Sequence, residues 1–223
     1  MALTKIEASN VSDDAVNIAQ LGATGTPSAT TFLRGDNTWT EVGGNTVFIS
    51  KQTASDDASL AFTSGFSTIY HEYLFKIDNL KPASDTVALH FYLSNDAGSS
   101  YYTSEMYSIS WYANRSPSAS TNSDAIGATS WNSAYSFINW DQGNDAGTDW
   151  RAISELRLYR ADVAEETAWQ SISSQFEATN IFSLQLTAGS TSGAAEVVNA
   201  IKFQFASGNI TSGDIRMYGV KAE

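Results

Sequence analysis

The chain contains no cysteine, and that one absence removes disulfides, thiolate metal sites and cysteine nucleophiles together. Packing alone must hold the fold. Charge is also scarce: 16% of residues are charged, against roughly 25% in an ordinary soluble domain. Ser, Thr, Asn and Gly must therefore build much of the polar surface, a composition suited to a particle-bound or non-cytosolic surface. Basic residues are fewest, with 12 Lys and Arg against 24 Asp and Glu, a formal charge of −12. That balance argues against the phosphate-neutralising patch nucleic-acid binding needs, and against an anionic membrane surface. No apolar run approaches the ~20 residues of a membrane span, and the start, MALTKIEASNVSDD, has no basic segment followed by an apolar core. The expectation is a chain made and folded in a cytoplasm, without membrane insertion. Asn10-Val11-Ser12, Asn114-Arg115-Ser116 and Asn209-Ile210-Thr211 fit the glycosylation pattern and read, without a secretory signal, as chance matches.

The 223 residues suit one domain with a short appendage. From Asn45 onward the hydrophobic period is two. Tyr73, Phe75 and Ile77 share one face against Glu72, Lys76 and Asp78, and Val87, Leu89, Phe91 and Leu93 repeat the pattern. Tyr107, Ile109 and Trp111; Leu156 and Leu158; Phe182, Leu184 and Leu186; Ile201, Phe203 and Phe205; and Ile215 and Met217 do likewise. Turn residues such as Asn95-Asp96-Ala97-Gly98 and Ser207-Gly208-Asn209 close the runs. Eight to ten strands with one apolar face each predict an all-β fold, an antiparallel, jelly-roll-like β-sandwich over 45–223, with a closed barrel as the alternative. The intervals 114–124 and 141–149 are too long for tight hairpins and read as surface loops, and 161–168 has room for a helical turn.

Residues 1–44 differ. Their apolar positions are unevenly spaced; a short helix near 12–20 is plausible, and at about nine residues it falls below the roughly 12–15 at which isolated helices become marginal. The tract 22–39, rich in Gly, Ser and Thr, follows, with Gly43-Gly44 as a joint. Arg34-Gly35-Asp36 reads as a turn in which Gly35 and Asn37 tolerate positive φ.

Candidate chemistry is sparse. His71 and His90 read as polar positions on a solvent face, with no second ligand at metal spacing, although pairing across adjacent strands would bring them together. The loop Asp141 to Asp149 offers oxygen ligands and misses the EF-hand pattern. Gly189-Ser190-Thr191-Ser192-Gly193 has Thr where a nucleophile elbow needs its Ser, and it lacks the strand-turn-helix setting. The reading is therefore of a protein without catalytic residues, metal or cofactor. Trp131, Trp140 and Trp150 cluster in sequence around the Asp141 loop, with Tyr101, Tyr102 and Tyr112 upstream. Aromatic rings beside Asn and Asp are what a pyranose requires, a CH face to stack and hydroxyls to hydrogen-bond. Trp131, Trp140, Trp150, Asp141, Asn144 and Tyr112 are accordingly the candidate glycan contacts.

The tract Gly25-Thr26-Pro27-Ser28-Ala29-Thr30-Thr31-Phe32-Leu33-Arg34-Gly35-Asp36-Asn37-Thr38-Trp39 closely resembles a segment recurring in bacteriophage tail-fibre and related virion proteins, commonly written GTPSSTTFLRGDGTW. The opening Met1-Ala2-Leu3-Thr4-Lys5-Ile6 resembles the start of many phage fibre proteins, and Ser207 to Lys221 more loosely resembles the last hairpin of sandwich domains at the ends of phage structural proteins. The resemblance implies a homotrimeric virion surface protein. Residues 1–44 would attach it to another virion protein, and Phe32, Leu33, Arg34, Asp36 and Trp39 would form an inter-chain collar. The expected function is a tail fibre presenting the sandwich for receptor binding to host-surface polysaccharide; the alternative is a capsid decoration protein, since no fibre shaft is present.

Overall fold

The computed structural model describes residues 22–29, 31–41, 44–115, 123–142, 152–176, 181–192 and 196–221. The chain divides into two compact units, 1–44 and 45–223. In the first, β1 (Thr31–Leu33) and β2 (Trp39–Glu41) pair antiparallel, with Phe32 opposite Thr40. The helix expected near 12–20 lies outside the described residues.

The second unit is all-β. Its strands are β3 (Thr46–Thr53), β4 (Leu60–Phe62), β5 (Tyr70–Pro82), β6 (Val87–Ser94), β7 (Met106–Arg115), β8 (Ser123–Ser133), β9 (Ser136–Gln142), β10 (Ile153–Tyr159), β11 (Ala168–Phe176), β12 (Phe182–Thr191), β13 (Ala200–Phe205) and β14 (Ile210–Lys221). These exceed the eight to ten expected, because short strands such as β4 carry too few alternating positions to register as a period. An eight-stranded sheet runs β3-β14-β5-β10-β11-β12-β7-β8 and a four-stranded sheet runs β4-β13-β6-β9. Neighbours in both are antiparallel, giving the expected β-sandwich. Residues 161–165 form turns and bends before β11. The chain crosses from the small sheet to the large one between β13 and β14, so the final segment is a corner between sheets and not the hairpin its resemblance suggested.

The apolar core lies where β5, β10 and β14 face β4, β13 and β6. Phe75 meets Phe62 and Phe203 at centroid distances of 5.5 Å, and Phe91 meets Trp169 edge-on at 5.5 Å. Each ring withdrawn from water contributes about 1.5–3 kcal/mol. Buried polar groups tie the sheets together. Trp169 donates its indole N–H to Ser136 Oγ at 3.2 Å, and Ser136 donates to Ser108 Oγ at 2.9 Å. Asn139 accepts from the Leu89 N–H at 3.0 Å, donates to Gln142 Oε1 at 2.9 Å, and Gln142 donates to the Leu80 carbonyl.

Across β11, β12 and β7 the alternation runs in the opposite sense. Ser171, Ser173, Gln175, Ser183, Gln185, Thr187, Ser108 and Ser110 point inward and are buried, while Ile172, Phe176, Phe182, Leu186, Ile109 and Trp111 point outward. The runs Tyr107-Ile109-Trp111 and Phe182-Leu184-Leu186 were expected to face the core. Period two identifies two faces of a strand, and which one is covered depends on the opposing sheet. Here that sheet has only four strands.

Candidate interaction surface

The tract that joins β1 to β2 forms its hairpin around a turn fixed by local hydrogen bonds. Arg34 N–H donates to the Thr38 carbonyl at 2.8 Å, and Asn37 N–H to the Arg34 carbonyl at 3.0 Å. Asn37 takes φ 61°, whereas Gly35 does not use the left-handed region. Asp36 accepts from Thr38 Oγ1 at 2.6 Å and from its N–H at 3.2 Å, and these bonds hold its carboxyl below the usual value. Arg34 lies 3.7 Å from Asp36, both well exposed. Thr24 bridges to Thr38, which adds a third backbone segment. Phe32 is exposed, while Leu33 and Trp39 are half-buried.

Among the described residues, the aromatic side chains expected to gather around one loop are spread over three faces. Trp131 stands on the outward side of the large sheet, edge-on to Tyr107 at 5.1 Å, and is 81% exposed. Tyr112 lies opposite the inward-facing Gln185 and so points between the sheets. Trp140 belongs to the small sheet and stacks on Phe137 at 4.2 Å. Asp141 is part of β9; Asn144 and Trp150 lie outside the described residues. Adjacency in sequence failed as a guide because consecutive strands here enter different sheets.

Trp140 does begin an aromatic row that the sequence did not disclose. Phe137 meets His90 at 4.8 Å, His90 stacks on Tyr135 at 4.0 Å, and Tyr135 meets Tyr92 at 5.6 Å. Lys202 Nζ sits 4.5 Å from the centroids of both Tyr92 and Tyr101. His90 is only 6% exposed, correcting its expected place on a solvent face, and burial pushes its pKa down to about 4. Its neighbours in the row are rings, so no charge offsets the desolvation. His71 lies on β5, in the other sheet, and its Nδ1 is 3.5 Å from Asp162. The two histidines therefore do not pair. No group of three metal-ligating side chains occurs among the described residues.

The largest departure from ordinary surface chemistry is the outward face of β8, β7, β12 and β11. In register across these strands run Ile126, Trp111, Leu186 and Ile172, continued on β10 by Glu155. Ile109, Trp111, Ile126, Ile153, Ile172, Phe176, Phe182 and Leu186 are 38–69% exposed. Ile109, Trp111, Ile126, Ile172 and Leu186 line a groove of about 460 Å³. Beyond Glu155 the same row becomes charged, through Lys76, Arg216 and Lys51. At that margin Arg157 bonds Glu155 at 2.8 Å and Glu72 at 2.7 Å. The face is thus half apolar and half ionic, divided near β10. No family model, curated protein or solved structure matches the chain.

Proposed function

We propose that the protein is a structural component of a bacteriophage particle: a homotrimeric tail fibre that attaches to another virion protein through residues 1–44 and presents the sandwich to host-surface polysaccharide. The observation that carries this reading is the collar tract, which resembles a virion segment and folds as a hairpin of two three-residue strands with Phe32 turned outward. Such a hairpin is marginal by itself in water, so a segment of this kind gains stability by joining other chains. Three sandwiches on one fibre would multiply weak glycan contacts through avidity. No bond-making chemistry enters the reading.

One observation favours capsid decoration instead: β2 ends at Glu41 and β3 begins at Thr46, leaving no room for a shaft between the N-terminal hairpin and the sandwich. Gold-tagged antibody against residues 45–223, imaged on intact virions by electron microscopy, separates the two. Label confined to the tail supports the fibre; label spread over the head replaces it with decoration; unlabelled particles with accessible epitopes overturn both. For the glycan role, Trp140→Ala with Trp150→Ala should reduce adsorption to host cells while particles still assemble, and unchanged adsorption would remove those residues from the receptor site.

A further inference from the structure

We infer that the outward face of β8, β7, β12 and β11 is buried against other copies of this same chain, forming an interface within the sandwich and separate from the collar. Their number, three, rests on the virion reading; burial against like copies does not.

Area is the first argument. With aromatic side chains of 150–250 Å² and aliphatic ones somewhat smaller, the exposed fractions amount to about 800 Å² of apolar side-chain surface on this face. A typical monomer's largest patch is roughly 300–600 Å², whereas one partner of a standard-size interface contributes about 800 Å².

Charge selects the occupant. A chain of net charge −12 repels its own copies, so they can meet closely only where charge is absent. The row Ile126, Trp111, Leu186, Ile172 is uncharged along its length, and Glu155 and Arg157 at its margin are paired with each other. A basic partner would gain nothing from this face and would be drawn to the acidic surface elsewhere. The inward side of these strands adds a third reason. Apart from Trp169 and Met106 it is lined mainly by Ser, Thr and Gln, so β7, β11 and β12 gain less hydrophobic stabilisation within one chain than the other strands do, and contact between copies supplies what the interior does not.

Sedimentation velocity on the full chain tests the inference. The wild-type chain should sediment as an oligomer at micromolar concentration, and Ile172→Asp with Leu186→Asp should weaken association by about 100-fold or more, as expected for central interface positions. Near-ultraviolet circular dichroism checks that the variant is folded. If it is insoluble, Leu186→Ser, which alters one half-exposed side chain, should shift association in the same direction. A wild-type monomer overturns both this interface and the homotrimer. Folded variants that keep wild-type mass overturn the interface alone; if Phe32→Ser with Trp39→Ala then dissociates the oligomer, the collar carries assembly and the virion reading survives. A face covered instead by residues 1–21 or by a different protein gives one of these two overturning results.

Discussion

Ile172 and Leu186 are partners in register across the β11–β12 ladder, and both stand on the outward face of the large sheet, close to half exposed. Their sequence neighbours Ser171, Ser173, Gln185 and Thr187 are buried. Most antiparallel sheets covered on one side show the reverse, apolar inward and polar outward. Here the normal arrangement holds on β5, β10 and β14, and the inversion begins one strand beyond β10. An inverted half-sheet incurs a desolvation cost inside and gains nothing from the apolar groups left in water outside. Both deficits lead to measurable consequences.

The inner deficit is sharpest at Gln185, whose amide nitrogen and oxygen are buried with no hydrogen-bond partner among the described residues. An unpartnered buried polar group costs about 1–3 kcal/mol. Gln185→Met, of similar length and shape, should therefore raise the melting temperature, by about 2–4 °C for each kcal/mol recovered in a chain of this size. Thermal unfolding followed by circular dichroism checks it. An unchanged or lower value would mean that the amide is satisfied.

Gly189 occupies a position that no larger residue fits. It pairs with Trp169 across β11 and β12, and a Cβ there would stand 2.7 Å from the indole ring and inside the contact distance of the Tyr107 carbonyl oxygen. That ring cannot retreat freely, since its N–H is bonded to Ser136 in the opposite sheet. Gly189→Ala should destabilise by about 1–3 kcal/mol, the usual penalty for overpacking. Chemical denaturation would reveal it as a lower midpoint at unchanged slope. A wild-type midpoint would show that the strands can part at this point.

These positions also mark what the sequence made legible. Tyr73, Phe75 and Ile77 are flanked by the charged Glu72, Lys76 and Asp78, with Leu74 the one apolar residue between them, so the pattern identified both the strand and its buried face. Ile109, Trp111 and Leu186 alternate with Ser, Gln and Thr, which carry no charge and can be buried at moderate cost, so period alone left the covered face undetermined. Pairing was equally hidden. Trp131 and Trp140 are nine positions apart and belong to different sheets, while Trp140, His90 and Tyr92 come together only because β6 and β9 pair. The turn at Arg34 to Asn37 was legible because turn chemistry is local, although only Asn37, and not Gly35, takes positive φ.

His90 supplies a pH-dependent test of the aromatic row. Burial holds its folded-state pKa at about 4, below the ordinary 6.5. The unfolded chain therefore binds the proton first as pH falls. The stability that neutral His90 permits is complete above pH 6.5 and is lost between there and about 4, at a rate approaching 1.4 kcal/mol per pH unit. Carboxylates add their own losses at lower pH, so the informative quantity is the difference between wild type and His90→Phe. The variant's stability should fall less steeply over that window. Parallel curves would indicate that His90 accepts its proton without leaving the row.

Asn37 links the sequence of the β1–β2 hairpin to its geometry. It adopts φ 61°, a conformation open to Gly and tolerated by Asn, and costly for a β-branched residue. Gly is the substitution that the backbone itself would select here. Asn37→Gly should preserve the turn. Asn37→Val should open it, because the strain of about 1–2 kcal/mol falls on a hairpin of three-residue strands with little packing to absorb it. Amide hydrogen exchange of Arg34 and Asn37, whose N–H groups close the turn, reads the difference directly: protection retained with Gly and lost with Val. Equal protection in both variants would mean that the hairpin is held from outside the turn, by contacts strong enough to override its backbone preference.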